Sequence, residues 1–259
     1  MSQMPRRRLS FLFETDHKVI GVRFWWFSLF AVGIGIALSL LMRVQLSHPD
    51  TDLSWLEPLF PAGIVGGVML PEFYLSLVTM HGTIMAFFVL TTAPQAGFGN
   101  VILPLQLGAR EMAFPQRTRA SYWLTVLAFA VLMAAFFVEG GAPLSGWTAY
   151  PPLSALGDIV GPGQGGGMTL WIVSIALFCV AAVVSAGNFL VTTLSCRAPS
   201  MRLMQMPLTS WAWFTTALLS VLAFPVLLAA GLLLLGDRHM GTSFFIPILS
   251  CPGEADNSF

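Results

Sequence analysis

Charge is what this sequence has least of. Only 9% of its 259 residues are Asp, Glu, Lys or Arg, against about 25% in a soluble domain. So little charge cannot cover a water-facing surface, which excludes an ordinary soluble globule. The charges present cancel, twelve basic against twelve acidic, so no basic surface points to nucleic acid. Cysteine is also scarce: Cys179, Cys196 and Cys251 are scattered without CxxC spacing. That leaves no case for a disulfide framework or a thiolate metal site, and Cys179 reads as a packing residue inside a helix. Arg6, Arg7 and Arg8 stand near the N-terminus, but no short apolar stretch with a cleavage site follows them. No removable signal peptide is therefore read.

What fills the space is apolar. Hydrophobic residues make up 56% of the chain and the mean hydropathy is +0.79. A helix that crosses a bilayer needs about 20 mostly apolar residues, and five runs qualify: 22–42, 73–95, 120–138, 168–194 and 211–235. Helices satisfy their own backbone groups, the condition for crossing lipid. The expectation is an all-α polytopic membrane protein with about five transmembrane helices. Gly33, Gly35, Ala37 and Ser39 in the first run allow close helix contact. Pro225 predicts a kink in the fifth run unless its neighbours hold the helix straight. The stretch "GFGNVILPLQLGAREMAFP" at 97–115 is too apolar for a solvated loop and is expected to lie along the membrane surface.

Basic residues sort the connecting segments. Arg6, Arg7, Arg8 and Lys18 precede span one, Arg110, Arg117 and Arg119 follow span two, and Arg197 and Arg202 follow span four. Segments 44–72 and 139–167 have neither Lys nor Arg, and the C-terminal segment has only Arg238. The positive-inside rule then puts the N-terminus in the cytoplasm and the C-terminus outside. No internal repeat stands out, and no pair of broken helices surrounds a central charge as in a small transporter.

Of the four histidines, His48 reads as a loop residue, His17 as an interfacial one beside Lys18, and His239 closes the fifth span. Only His81, in "TMHGTIMAFF" (79–88), lies within a span. An ionisable residue there is a functional hypothesis by default. Two readings stay open: a neutral imidazole hydrogen-bonded to the next helix, or a ligand to haem iron. Arg43 ends the first span and is expected near the level of His81. It either snorkels to headgroups or meets an anionic partner such as a cofactor carboxylate. Asn100, Glu111 and Asn188 gather near the inner ends of spans two and four. They suit either a water chain for protons or a plain surface pair of Arg110 with Glu111.

These residues lie in motifs that resemble the haem–copper oxygen reductases, the cytochrome c oxidase subunit I family, in its aa3-like branch. They are "TDHKVIG", "LLMRVQL", "MHGTIMAFF", "GFGNVILPLQLGA", "MAFP", "SGWTAYPPLS", "GNFLVTT" and "DRHMGTSFF", in order over about residues 15–247. The resemblance implies the first five helices of a roughly twelve-helix subunit. It implies His81 as an axial ligand of the low-spin haem, of A type, and Arg43 as a hydrogen-bond donor to a substituent of that haem. It implies Asn100, Glu111 and Asn188 as the proton path, and Trp147 in an outer loop near the active-site haem. Subunits II and III, a bacterial inner membrane and cytochrome c as electron donor follow from the same resemblance.

Four positions depart from the family pattern: Glu111 for Asp, Arg110 for Pro, Thr118 for Asn, and Gln45 for Glu. A larger departure is in the ligand count. The family's copper B needs three histidines on later spans, and each haem needs a further one. The only histidine after His81 is His239, so the copper B ligands are absent. Catalysis by this chain alone is not expected: the copper site, the active-site haem and the C-terminal half of subunit I must come from another chain. Residues 1–247 read as the oxidase-like part. Residues 248–259, "ILSCPGEADNSF", read as an atypical polar tail of frameshift or truncation origin. The alternative is a non-catalytic five-span fragment or assembly protein.

Overall fold

The computed structural model describes residues 14–246. Arg6, Arg7, Arg8, Cys251 and the polar tail at 248–259 lie outside the described residues. Five helices are long and apolar enough to cross a membrane: α1 (His17–Ser47), α2 (Pro71–Leu107), α3 (Pro115–Phe137), α4 (Gly166–Ser195) and α5 (Leu208–His239). Each expected run falls inside one of them, except that the third overruns α3 by one residue, Val138. Most of the helices outrun the apolar stretches at their ends. Asp16 accepts the Lys18 amide at 2.8 Å and so satisfies one of the donors left over in the first turn of α1. Pro71 and Pro115 open α2 and α3, where a missing N–H removes no helical bond.

The chain runs up α1, down α2, up α3, down α4 and up α5. One end of the bundle, the proximal face, therefore gathers the starts of α1, α3 and α5 and the ends of α2 and α4. The opposite, distal face carries a two-residue-per-strand hairpin, β1 (Ile64–Val65) with β2 (Val68–Met69), and the long α3–α4 connection.

The stretch at 97–115 corrects the sequence reading. Gly99–Leu107 does not lie along the surface as a loop but continues α2, and only 108–114 links it to α3. The buried residues Gly99, Asn100, Leu103, Pro104 and Leu107 recur at helical spacing. Gly108 then ends the helix with φ 69°, a left-handed turn that glycine adopts without strain. Between these α-helical ends, Ile84–Phe98 is wound as a π-helix. Thr91 and Thr92 fit it by donating their hydroxyls to the carbonyls five residues back, Ala86 at 2.8 Å and Phe87 at 3.0 Å. α5 runs through Pro225 without a break in assignment.

α4 packs along α3 and α5, and α1 along α2. Phenylalanines fill the centre: Phe88 of α2 meets Phe129 of α3 and Phe178 of α4 edge-on, each with centroids 5.2 Å apart. Such pairs add about 0.5–1.5 kcal/mol beyond area burial.

Arg238, in the last turn of α5, clamps the distal loop. Its guanidinium donates to the carbonyls of Ser154 at 2.7 Å, Gln164 at 2.5 Å and Gly165 at 2.7 Å. Bonds from a charged donor contribute about 1.5–3 kcal/mol each when buried, and this side chain is partly exposed. Arg238→Ala is therefore expected to destabilise the loop by about 2–4 kcal/mol. Limited proteolysis between residues 152 and 165 should become markedly faster, and an unchanged cleavage rate would contradict the clamp.

Candidate functional site

His81 sits in the distal third of α2, half-buried. Its Nδ1 lies 2.9 Å from the carbonyl oxygen of Gly35 on α1. A carbonyl only accepts, so Nδ1 carries the proton and the Nε2 lone pair is left to bind something else. This is the arrangement that orients a metal-ligating imidazole and raises its basicity. Gly35 permits the contact because a Cβ there would come within 2.8 Å of the Met85 sulfur.

The turns around His81 are fastened to the rest of the distal face. Thr79 Oγ1 accepts the Gly146 amide at 2.9 Å, and Trp171 Nε1 donates to Thr83 Oγ1 at 2.8 Å. Trp147 packs over Gly82, where a Cβ would lie 2.9 Å from the indole. Trp147 also walls an open cleft of about 390 Å³ between the distal loop, α4 and α5, lined mainly by apolar groups such as Phe87, Trp171, Ile175 and Leu234.

Arg43 is not at the level of His81. It lies eight residues beyond Gly35 on α1, which at 1.5 Å per residue is about 12 Å towards the distal face, and it is exposed. No group of three or more His, Cys, Asp or Glu that could hold a metal ion occurs among the described residues. One axial position of a haem fits this donor set. A three-histidine copper centre does not.

At the proximal face Asn188 is 1% exposed and joins α4 to the α2–α3 link. Its Oδ1 accepts the Phe114 amide at 2.9 Å. Its Nδ2 donates to the Phe114 carbonyl at 3.1 Å and to Thr118 Oγ1 at 2.7 Å. Thr192, one turn on, accepts the Ala113 amide at 3.0 Å. Asn100 is fully buried. It donates to the Ala96 carbonyl at 2.7 Å, and its Oδ1 has no partner among the described residues. Glu111 is exposed in the link, within electrostatic reach of His17. Asn100, Glu111 and Asn188 thus share one end of the bundle, but no hydrogen bond connects them among the described residues.

Several residues here escape a sequence reading. His17, the first residue of α1, is 4% exposed. Thr118, Ser121 and Thr125 form a polar row on α3, with Ser121 Oγ donating to the Thr118 carbonyl and Thr125 Oγ1 to the Ser121 carbonyl, both at 2.8 Å. The row ends at a cavity of about 30 Å³ that Gln95 and Ser185 also line, room for about one water. The helical spacing of 118, 121 and 125 in an apolar span is a signal that could have found the row.

Fold and site define a polytopic α-helical membrane protein with one imidazole hydrogen-bonded between two spans and a buried polar cluster at the opposite face. The chain belongs to the Cytochrome C and Quinol oxidase polypeptide I family, whose model matches residues 19–256. It is 41% identical over 247 residues to an alternative cytochrome c oxidase subunit 1 of Bradyrhizobium diazoefficiens, covering 94% of this chain and 39% of that protein. It is 38% identical over 237 residues to cytochrome c oxidase subunit 1 of Thermostichus vulcanus, covering 92% and 39% respectively. A heme-copper oxidase subunit I+III of Aeropyrum pernix is 41% identical over 233 residues, covering 90% and 26%. The chain therefore spans about two fifths or less of the length of these relatives.

Proposed function

We propose that this chain is the N-terminal five-helix portion of a haem–copper oxygen reductase subunit I. The complete enzyme would take electrons from cytochrome c, pass them through a low-spin haem to a haem–copper site, and reduce oxygen to water. The observation that carries this reading is the His81 imidazole, whose Nδ1 is held by the Gly35 carbonyl so that Nε2 can ligate iron. In this role His81 would hold a haem of A type, and Arg43 would donate hydrogen bonds to one of its substituents. The haem, when bound, supplies one-electron chemistry. The protein's part is to fix the ligand's orientation and keep the surroundings apolar.

Asn100, Glu111 and Asn188 would form the proton-uptake side, with Glu111 exposed as the entrance and the two asparagines buried behind it. The copper B ligands, the active-site haem ligand and the second imidazole of the low-spin haem would come from polypeptide outside these 259 residues. The cleft of about 390 Å³ and the sparsely buried α5, of whose apolar window only 11% is buried, are where that polypeptide would pack. Subunits II and III complete the partners. The setting is a bacterial inner membrane, with the proximal face in the cytoplasm, as the basic residues of the links suggest.

Ligand counting makes the test sharp. The purified chain alone is expected to consume no oxygen, and oxygen uptake above a detergent blank would overturn the proposed division of ligands. In a complex assembled with the remaining spans, Arg43→Gln should leave haem content unchanged while shifting its absorption maximum or potential. Haem loss in that variant would instead make Arg43 essential for retention.

A further inference from the structure

Helix α2 changes its winding just after His81. It is α-helical as far as Thr83, and the π-helical stretch begins at Ile84. The threonine hydroxyls record the change. Thr83 Oγ1 donates to the Thr79 carbonyl four residues back at 2.7 Å, whereas Thr91 and Thr92 donate five residues back. At the junction the Ile84 amide is shared between the Met80 and His81 carbonyls. Moving such a junction by one residue exchanges one kind of backbone bond for another, so bond number alone does not fix it. A π segment of this length is also rare, and its start needs something to hold it. If π winding crept back past His81, it would turn the ring away from α1.

An outside contact falls on the junction residue itself. Thr83 is fully buried, and its Oγ1 accepts the Nε1–H of Trp171 from α4 at 2.8 Å. The hydroxyl proton is already spent on the Thr79 carbonyl, so this oxygen has only lone pairs to offer. An indole N–H can only donate, and the two groups therefore match. One turn earlier, Thr79 repeats the pattern. Its hydroxyl donates to the Leu75 carbonyl at 3.0 Å and accepts the Gly146 amide at 2.9 Å. Thr79 and Thr83 lie one above the other on the helix. Each is two residues from His81, about 200° around an α-helix, so the two anchors hold the face of α2 opposite the imidazole. On the imidazole's own side, Nδ1 meets the Gly35 carbonyl of α1.

We infer that Trp171 is a positioning residue for His81: through Thr83 it pins the start of the π-helix and so fixes the direction of the imidazole, a role whose purpose rests on the ligand reading of His81. Thr79, held by the distal loop, is the second anchor. The indole acts on the ring from behind, through the helix, and touches neither Nδ1 nor Nε2. Thr83 is the residue that transmits the effect, because its one oxygen closes the last α-type turn and takes the bond from α4.

The test reads the ring without haem. Nitrogen NMR of the full chain, isotope-labelled at histidine, gives the ratio of rings protonated at Nδ1 to rings protonated at Nε2, with His81 assigned by its loss in His81→Gln. In Trp171→Phe, and in Thr83→Val, which keeps the shape of threonine, that ratio should fall about fivefold, the factor one hydrogen bond supplies. Thr83→Ser keeps the acceptor and should match the unmodified chain. Ser174→Ala removes another buried bond of α4, to the Ala128 carbonyl at 2.6 Å, and should leave the ratio unchanged. An unchanged ratio in either Trp171→Phe or Thr83→Val would overturn the pin. So would an equal fall in Ser174→Ala, which would mean general loosening, or in Thr83→Ser, which would put the effect on packing rather than on the bond. The ratio is measured on the haem-free chain, so its outcome is separate from that of the haem assignment.

Discussion

His81→Ala is expected to abolish the low-spin haem absorbance of an assembled complex while leaving the five-helix fold intact. The fold survives because the substitution removes one interhelical hydrogen bond, to the Gly35 carbonyl. Such a bond contributes about 0.6–1.5 kcal/mol in a membrane protein, and alanine is the best helix former. Iron would lose the donor proposed for it in this chain. The brace behind the ligand has a graded effect. A Cβ on Gly35 would approach the Met85 sulfur to 2.8 Å and His81 Nδ1 to 3.8 Å. Gly35→Val should therefore push α1 away and break the bond to Nδ1. Loss of such a supporting hydrogen bond weakens a metal site about 10–100-fold. Absorbance spectra after graded detergent washing would measure both. Haem content unaffected by His81→Ala would refute the ligand assignment.

Asn188→Leu is expected to be the most destabilising single change at the proximal face. Leucine preserves the volume but removes three hydrogen bonds at once, two to the Phe114 backbone and one to Thr118. At about 0.6–1.5 kcal/mol each, their loss sums to about 2–4 kcal/mol. The link loses its main attachment to α4 and keeps the Ala113 amide on Thr192. Thr192→Val removes that bond and the 2.7 Å donation of Thr192 Oγ1 to the Asn188 carbonyl within α4, and should cost about 1–2 kcal/mol. Unfolding titrations in mixed micelles would rank the two. Equal stability of Asn188→Leu and the unmodified protein would show that Asn188 does not hold the link. If the proposed uptake side is right, Asn188→Leu should also slow proton uptake in an assembled enzyme, and Thr192→Val should do so far less.

How far the sequence was readable depended on the kind of signal. The spans were legible because about 20 apolar residues in a row carry one meaning. Helix ends were less so. Residues 99–107 were apolar enough to look surface-bound, and only their burial spacing reveals a continued helix. His81 was legible as a lone imidazole in an apolar run, but its bond to Gly35 joins residues 46 apart, which no local pattern encodes. The level expected for Arg43 failed for the same reason, since it depended on which turn of α1 faces His81. Arg23 went unremarked although an arginine inside an apolar run is a visible flag. The burial of His17 was not legible, because its neighbours Asp16 and Lys18 are charged while packing covers its ring.

The most direct test is the reduced-minus-oxidised absorption spectrum of this chain co-produced with the spans of the Bradyrhizobium diazoefficiens relative that lie beyond the matched 39%. Low-spin haem absorbance should appear only when both pieces are present, because under the proposed function each would contribute one imidazole. A colourless pair, or a low-spin spectrum from either piece by itself, would contradict the assignment of His81 as half of a shared haem site.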